Sequence, residues 1–414
     1  MPDLVQLIAT WGRAPLPAAT QQIGYLLIEA QPNAQTATTT APITFCMVLD
    51  RSGSMDGAKI EHLKRAVQDV IAGLQPDDQV AVIVFDEHAE VVVPLQPAGN
   101  KTALNNRVEA IRVQGGTAMS TGLAAATNEL QRATANAHVL LLTDGQTWGD
   151  EDRCREIAQY LAQQGVRITA LGLGDEWNEG LLDELAQSTG GTSDYIAKPQ
   201  DLLPSFRRVA QTAHTVAVRD AQLVVQFADG MEPRTVYRVT PQISNLGYTP
   251  VAERTISVNL GDVAAAVGAS VLVEVALPPL PVGTHPVAQA GLSFEAAQDG
   301  HEDRTRTDVV LDVTADASAV QVNPRIMNTV EKVTAFKLQT RALSEAAAGD
   351  IVGATQKLRG AATRLLSLGE TELASTVERA ADAVERGQGP SAADQKEITY
   401  STRRLSLKDL QQES

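Results

Sequence analysis

The sequence predicts an α/β doubly wound domain joined to an all-β sandwich and followed by an α-helical bundle. Three observations carry this expectation. Between Ile43 and Ala213 short apolar runs alternate with helical periodicities, the pattern of a mostly parallel sheet with helices on both faces. From Val216 to about Ala315 the helical period stops, and short β-rich runs are separated by turn residues such as Asp229-Gly230 and Pro278-Pro279. Past Pro324 the chain becomes rich in Ala, Leu and Arg and regains a helical period.

At 414 residues the chain is long enough for two or three domains, and its hydrophobic content of 43% is ordinary for a globular protein. Aromatic residues make up only 4%, so Val, Leu, Ile and Ala must fill the cores. A formal charge of -16 argues against a general nucleic-acid binder, which needs clustered Lys and Arg. The first residues, MPDLVQLIATWGRAP, contain neither a basic leader nor a long apolar core, and no run approaches the roughly 20 apolar residues of a membrane span. The expectation is a cytoplasmic protein without a membrane span. Cys46 lies in a strand pattern and Cys154 in a helical one; both read as reduced core residues.

In chain order, Leu4 to Trp11 and Gln22 to Glu29 are β-like, separated by the turn-rich Gly12 to Pro17 and followed by a polar, threonine-rich stretch from Gln31 to Thr40. These strands need a sheet to join, and the later β-rich segment offers one. Residues 1–40 are therefore expected to complete the sandwich of 215–320, with the α/β domain at 41–214 inserted between them and a helical domain at 321–414.

Within the α/β segment, strand Ile43 to Leu49 leads to a helix in which Ile60, Leu63, Ala66, Val67, Val70, Ile71 and Leu74 recur at three- and four-residue spacing. Val80 to Phe85 and Glu90 to Leu95 read as a hairpin turning at Asp86-Glu87-His88. A helix at about Thr102 to Ile111, the strand Val139 to Leu142, and two further strand-helix pairs complete the unit by Ala213. In the last segment Ile326 to Ala347, Ile351 to Leu366 and Thr371 to Arg386 read as three helices of a small bundle, while Tyr400 to Leu410 either docks back or stays loose.

The chemistry concentrates at three strand-to-helix junctions. After Leu49 come Asp50, Ser52 and Ser54, at alternate positions where open α/β sheets place their ligand sites. One carboxylate and two hydroxyls are hard oxygen ligands, suited to Mg²⁺ or Mn²⁺ rather than zinc. A helix cap at Asp50 and a serine-shaped turn would use the same residues. Thr117 follows a Gly pair just before the helical pattern from Leu123 to Leu130, and the strand from Val139 ends in Asp144-Gly145. Taken singly, these would be a cap and a turn.

Together, in this order, the three stretches resemble the von Willebrand factor type A family. Its metal-ion-dependent adhesion site combines D-x-S-x-S, a Thr in a second loop and an Asp in a third. The resemblance covers about Ile43 to Ala213 and is to the bacterial intracellular type; Asp50, Ser52, Ser54, Thr117 and Asp144 all match the motif. It implies a Rossmann-like fold and a Mg²⁺ site, with Mn²⁺ as a substitute. It also implies that a partner protein presents an Asp or Glu carboxylate to the metal. Arg51 and Met55 stand beside the ligands and are the candidate partner-selecting residues, with Arg51 equally readable as a solvated loop residue.

Enzymatic readings find less support. No G-x-S-x-G elbow and no H-E-x-x-H occur, and the three site loops lack a histidine to act as base. His62 falls on the first helix and His88 at the hairpin turn. The acidic stretch Asp299 to Arg304 does not have EF-hand spacing and reads as a solvated hairpin loop. Leu171-Gly-Leu-Gly174 lacks the third glycine of a dinucleotide fingerprint. The expectation is therefore a binding protein. The competing reading is a scaffold whose sandwich and helices bind partners while the metal only stabilises loops.

Overall fold

The computed structural model describes residues 4–33, 42–133, 136–247, 249–252, 254–297 and 300–407. Most of the threonine-rich stretch, Asp299 and the end of the predicted final segment lie outside the described residues. By its contacts the chain forms two compact units: Thr40–Thr215, and a second assembled from Met1–Thr39 with Val216–Ser414.

The chain opens with β1 (Val5–Trp11), the two-residue strands β2 (Arg13–Ala14) and β3 (Leu16–Pro17), and β4 (Gln22–Pro32). The α/β unit then begins with β5 (Ile43–Asp50) and α1 (Ala58–Gly73), followed by β6 (Gln79–Phe85), β7 (Ala89–Pro97), α2 (Lys101–Glu109) and α3 (Met119–Leu130). It continues through β8 (Asn136–Thr143), α4 (Glu151–Gln163), β9 (Arg167–Leu173) and α5 (Glu179–Ser188), ending with β10 (Ser193–Ile196) and α6 (Leu202–His214).

Its six strands lie in the order β10-β9-β8-β5-β6-β7, parallel except for β7. Every residue of β5 is buried, which is why the strand reads as a continuous apolar run rather than an alternation. One core joins Phe45, Met47 and Leu49 to Leu63, Val67 and Ile71 of α1 and Phe206 of α6. On the opposite face α3 approaches so closely that a Cβ on Gly122 would come within 2.8 Å of Phe85 and 2.9 Å of Val48. That close approach sets the position of the α3 N-terminus, on which Thr117 depends. Because the chain leaves β5 toward β6 on one side and β8 lies on the other, the order reverses at β5, and the crevice opens at the carboxyl ends of β5 and β8.

The second unit resumes with β11 (Val216–Phe227), β12 (Glu232–Thr240), β13 (Ser244–Asn245), β14 (Thr249–Ala252) and β15 (Thr255–Ala264). Then follow β16 (Ala269–Leu277), β17 (Gly283–Ala296), β18 (Glu302–Thr314) and β19 (Gln321–Val322). The two main sheets run β1-β4-β16-β12-β13 and β14-β15-β11-β17-β18-β3, so the N-terminal strands sit in the same sheets as strands more than 200 residues later. β4 pairs antiparallel with β16, Leu27 opposite Leu272. Leu26, Ile28 and Ala30 of β4 face the core between the sheets, with Val271, Val273 and Val275 of β16.

Residues facing the other way explain the last segment. Leu27, Tyr237, Val239, Ile243 and Leu272 form one cluster with the helices α7 (Pro324–Ala347), α8 (Ile351–Ser367), α9 (Thr371–Glu385) and α10 (Ala392–Arg403). The helices therefore do not stand apart from the sandwich: they cover the outer face of its five-stranded sheet. Asn323, Asp350 and Ser391 cap α7, α8 and α10 through side-chain oxygens. α10 departs from the expected three helices. Its pattern is weak because few apolar positions, Ile398, Tyr400 and the following Leu405, hold it down. Gly387 to Pro390 breaks the chain before it, and Ser391 supplies the start signal.

Candidate functional site

Leu49 pairs with Leu142 across β5 and β8, so Asp50 and the Thr143-Asp144 pair leave the sheet at the same edge. Asp50 is fully buried; one carboxylate oxygen accepts the Ser52 N–H at 2.8 Å and the other the Thr143 hydroxyl at 2.6 Å. A short 3-10 turn over Gly53–Met55 folds the first loop back on itself and leaves the Ser52 and Ser54 hydroxyls 3.0 Å apart. Ser54 donates to Asp144 Oδ1 at 2.6 Å, while Lys59 on α1 pairs with Oδ2 at 2.5 Å.

The second loop is tied to the first by backbone bonds, Gly53 N–H to the Gly115 carbonyl at 3.1 Å and Gln114 N–H to that of Arg51 at 2.8 Å. This brings Thr117 to the same place. A Cβ on Gly145 would lie 3.8 Å from both the Thr117 and the Ser54 hydroxyl, so these two oxygens flank that glycine. All five residues picked out by the motif, Asp50, Ser52, Ser54, Thr117 and Asp144, meet at one edge.

Several supporting residues escaped the sequence reading. The buried Thr147 hydroxyl accepts the Met119 N–H at 3.2 Å and lies within donating reach of the Thr117 carbonyl, 3.2 Å away, and of Asp150. Asp150 in turn accepts the Ser120 N–H at 2.8 Å. The third loop thus holds the start of α3 and positions Thr117. Thr147-x-x-Asp150 before a helical pattern was the available signal, a turn and cap that happens to reach across to another helix. Lys59 and Thr143 carried no signal beyond their helix and strand.

The donor set is three hydroxyls and two carboxylates, all oxygen. Among the described residues no group of three or more His, Cys, Asp and Glu side chains is close enough to hold a metal, so any cation here would rely on the hydroxyls. Burial pushes the Asp50 carboxyl above its usual range; the Ser52 and Thr143 donors oppose this, and the charge of Asp144 adds to it. A cation would relieve that charge crowding, and hard oxygen donors suit a hard divalent ion.

Arg51 and Met55 do not serve as expected. Met55 is buried in the core beneath the sheet edge. Arg51 is 8% exposed, with its guanidinium on Asp86 at 2.7 Å and Glu90 at 2.6 Å. Burial works against the Asp86 charge, but the His88 N–H and the Arg51 guanidinium outweigh it and hold the carboxyl below its usual range. Both residues brace the loops from inside. Alternation of side chains along the loop could not reveal this, because the turn reverses which side faces in.

Residues 45–208 match the model of the von Willebrand factor type A domain, and residues 324–408 that of the Sll0103-like C-terminal α-helical domain. The chain thus carries a von Willebrand factor type A domain with a Rossmann-like α/β fold, and a C-terminal helical domain. It is 28% identical over 378 residues to the uncharacterized protein sll0103 of Synechocystis sp., covering 89% of each chain. Over 177 residues it is 30% identical to human inter-alpha-trypsin inhibitor heavy chain H4, covering 39% of this chain and 19% of that one. The fold is shared along nearly its whole length with a von Willebrand factor type A protein from Catenulispora acidiphila (TM-score 0.74, 20% identity, 98% of both chains). It is also similar to the ArnB paralog VWA2 from Sulfolobus acidocaldarius, with a TM-score of 0.55, 14% identity and coverage of 98% and 99%.

Proposed function

We propose that the α/β domain binds a divalent cation, Mg²⁺ or Mn²⁺, through Asp50, Ser52, Ser54, Thr117 and Asp144, and through it captures a partner protein by a Glu or Asp carboxylate. The observation that carries this is the convergence of three hydroxyls and two buried carboxylates from three separate loops on one sheet edge. Von Willebrand factor type A domains often mediate metal-dependent protein interactions, which supports the reading. When bound, the cation would offer a coordination position to a ligand oxygen. The chain's own part is to hold the five oxygens in place: Thr143 and the Ser52 N–H fix Asp50, Ser54 and Lys59 fix Asp144, and Thr147 fixes the Thr117 loop. Ligands this well braced lose little freedom on binding.

Binding is preferred to catalysis because the site loops contain no histidine to act as base. The protein is proposed to act without a membrane span; no described helix is long and apolar enough to make one. The test pairs the intact chain with Asp144→Ala. Calorimetric titration with Mg²⁺ should show binding to the intact chain and a loss of at least about 100-fold in the variant, since a ligand itself is removed. Capture of partners from native lysate should follow the same pattern and be reversed by EDTA. Equal capture by both chains, with and without EDTA, would move the function to the sandwich and helices.

A further inference from the structure

We infer that Trp148 is the anchor on which the partner seats, and that the partner's metal-reaching carboxylate lies in a segment otherwise apolar and basic. This rests on the metal-bridged reading above and narrows it to a partner of stated chemistry. Two observations carry it.

The first is the indole itself. Of the three tryptophans, Trp11 and Trp177 are buried at 8% and 2% exposure, whereas Trp148 is 79% exposed, four residues past Asp144 on the same loop. A single exposed apolar residue is ordinary on a protein surface. This one sits on a loop that is held in place. Thr147 before it is bonded to the Met119 N–H, Asp150 after it to the Ser120 N–H, and Gly149 between them takes the positive φ (80°) that lets the chain turn. An exposed tryptophan on a braced loop beside a candidate ligand site is the kind of residue that dominates binding energy, because its large apolar face is buried only when a partner seats on it.

The second is the charge around it. At the same carboxyl edge, Asp56 after the first loop, Glu87 at the β6–β7 turn, and Asp175 and Glu176 after β9 are exposed. Of the cations nearby, Lys59 lies on Asp144 and Arg51 on Asp86 and Glu90, while Lys198 after β10 and Arg112 are exposed, so acidic side chains outnumber the exposed cations on this rim. Arg112, at the start of the second loop, is folded back onto the carbonyls of Glu109 and Ile111. An acidic segment would be repelled by this rim, whereas a carboxylate carried among Lys, Arg and apolar residues would be drawn to it. The indole face can take either an apolar side chain or a cation.

The probe is a phage-displayed library of random peptides with one fixed central Glu, selected on the full-length chain in Mg²⁺. A parallel library with Gln at that position, and selections on Trp148→Ala, complete the design. An unchanged melting curve establishes that Trp148→Ala is folded, and Trp148→Phe serves as a conservative second variant. The expected result is enrichment of Lys, Arg and apolar residues flanking the Glu, with selected peptides weakened at least about tenfold by Trp148→Ala and less by Trp148→Phe. Enrichment without charge preference, enrichment of acidic flanks, equal binding by Trp148→Ala, or no enrichment at all would overturn the inference. Equal recovery from the Glu and Gln libraries, unaffected by EDTA, would instead overturn the metal-bridged reading on which it rests.

Discussion

β5 and β4 are both central strands covered by apolar groups on two faces, yet only one of them ends in a candidate site. β5 lies in a parallel stretch of sheet, flanked by β6 and β8, so that the loops after β5 and β8 leave at one edge; Thr117 joins them from the α2–α3 loop, a helix-to-helix connection rather than the expected strand-to-helix junction. β4 lies between antiparallel neighbours, β1 and β16, whose loops leave at alternate ends. Its outward residues instead receive the helices, with Leu27 in their core and Glu29 paired to Arg325. The lesson is that strand polarity, more than burial, decides where polar groups can converge. One unit is held by apolar cover on both faces; the other combines a similar core with a hydrogen-bonded polar edge.

If that contrast holds, damage to the apolar cover should spare the site. Leu358 is fully buried in the middle of α8. Leu358→Ala should cost roughly 2–5 kcal/mol in the unit that contains it, read by urea unfolding, while Mg²⁺ titration stays unchanged. A parallel loss of metal affinity would show that the two units are not independent in stability.

A smaller effect should separate the units by pH. His138 in β8 stacks on Phe45 with ring centroids 5.7 Å apart and bonds Thr169 at 2.9 Å. Burial, helped by the charge of Arg167, lowers its pKa to about 4 from an ordinary 6.5. The folded chain therefore refuses a proton that the unfolded chain accepts. Stability from this group is present above pH 6.5, falls as the pH drops toward 4, and is constant below that, a loss of at most about 3 kcal/mol. Unfolding curves of the intact chain and His138→Gln across pH 7 to 4 should converge as the pH falls; parallel curves would show that the imidazole is solvated.

The smallest change probes the polar edge alone. Thr147→Val keeps the shape but leaves the buried Met119 N–H without its acceptor, at a cost of about 1–2 kcal/mol. Because Thr117 loses its brace, Mg²⁺ affinity should fall by up to about tenfold with Asp50 and Asp144 intact. An unchanged affinity would mean that Thr117 is held by the Gly53–Gly115 backbone bond without help.

Much of the architecture was legible because its signals are local. Continuous apolar runs marked the parallel strands, turn residues marked the sandwich, and D-x-S-x-S, Thr117 and Asp144 marked the three loops. α10 was not, since among its described residues the buried apolar positions are few, Ile398 and Tyr400 with Leu405 just after it, and no full apolar stripe forms. Nor were the directions of loop side chains. Arg51 and Met55 turn inward and Trp148 turns outward, although all three stand close to a motif residue.

By itself, then, the sequence determined which residue types end which strands, because a buried strand and an oxygen-bearing loop are each written in a few consecutive residues. Only the tertiary structure decided which of those ends meet, which neighbours brace them and which face solvent. Those outcomes depend on strand order, the register of β5 against β8, and the close approach of α3 at Gly122, and each joins residues far apart in the chain.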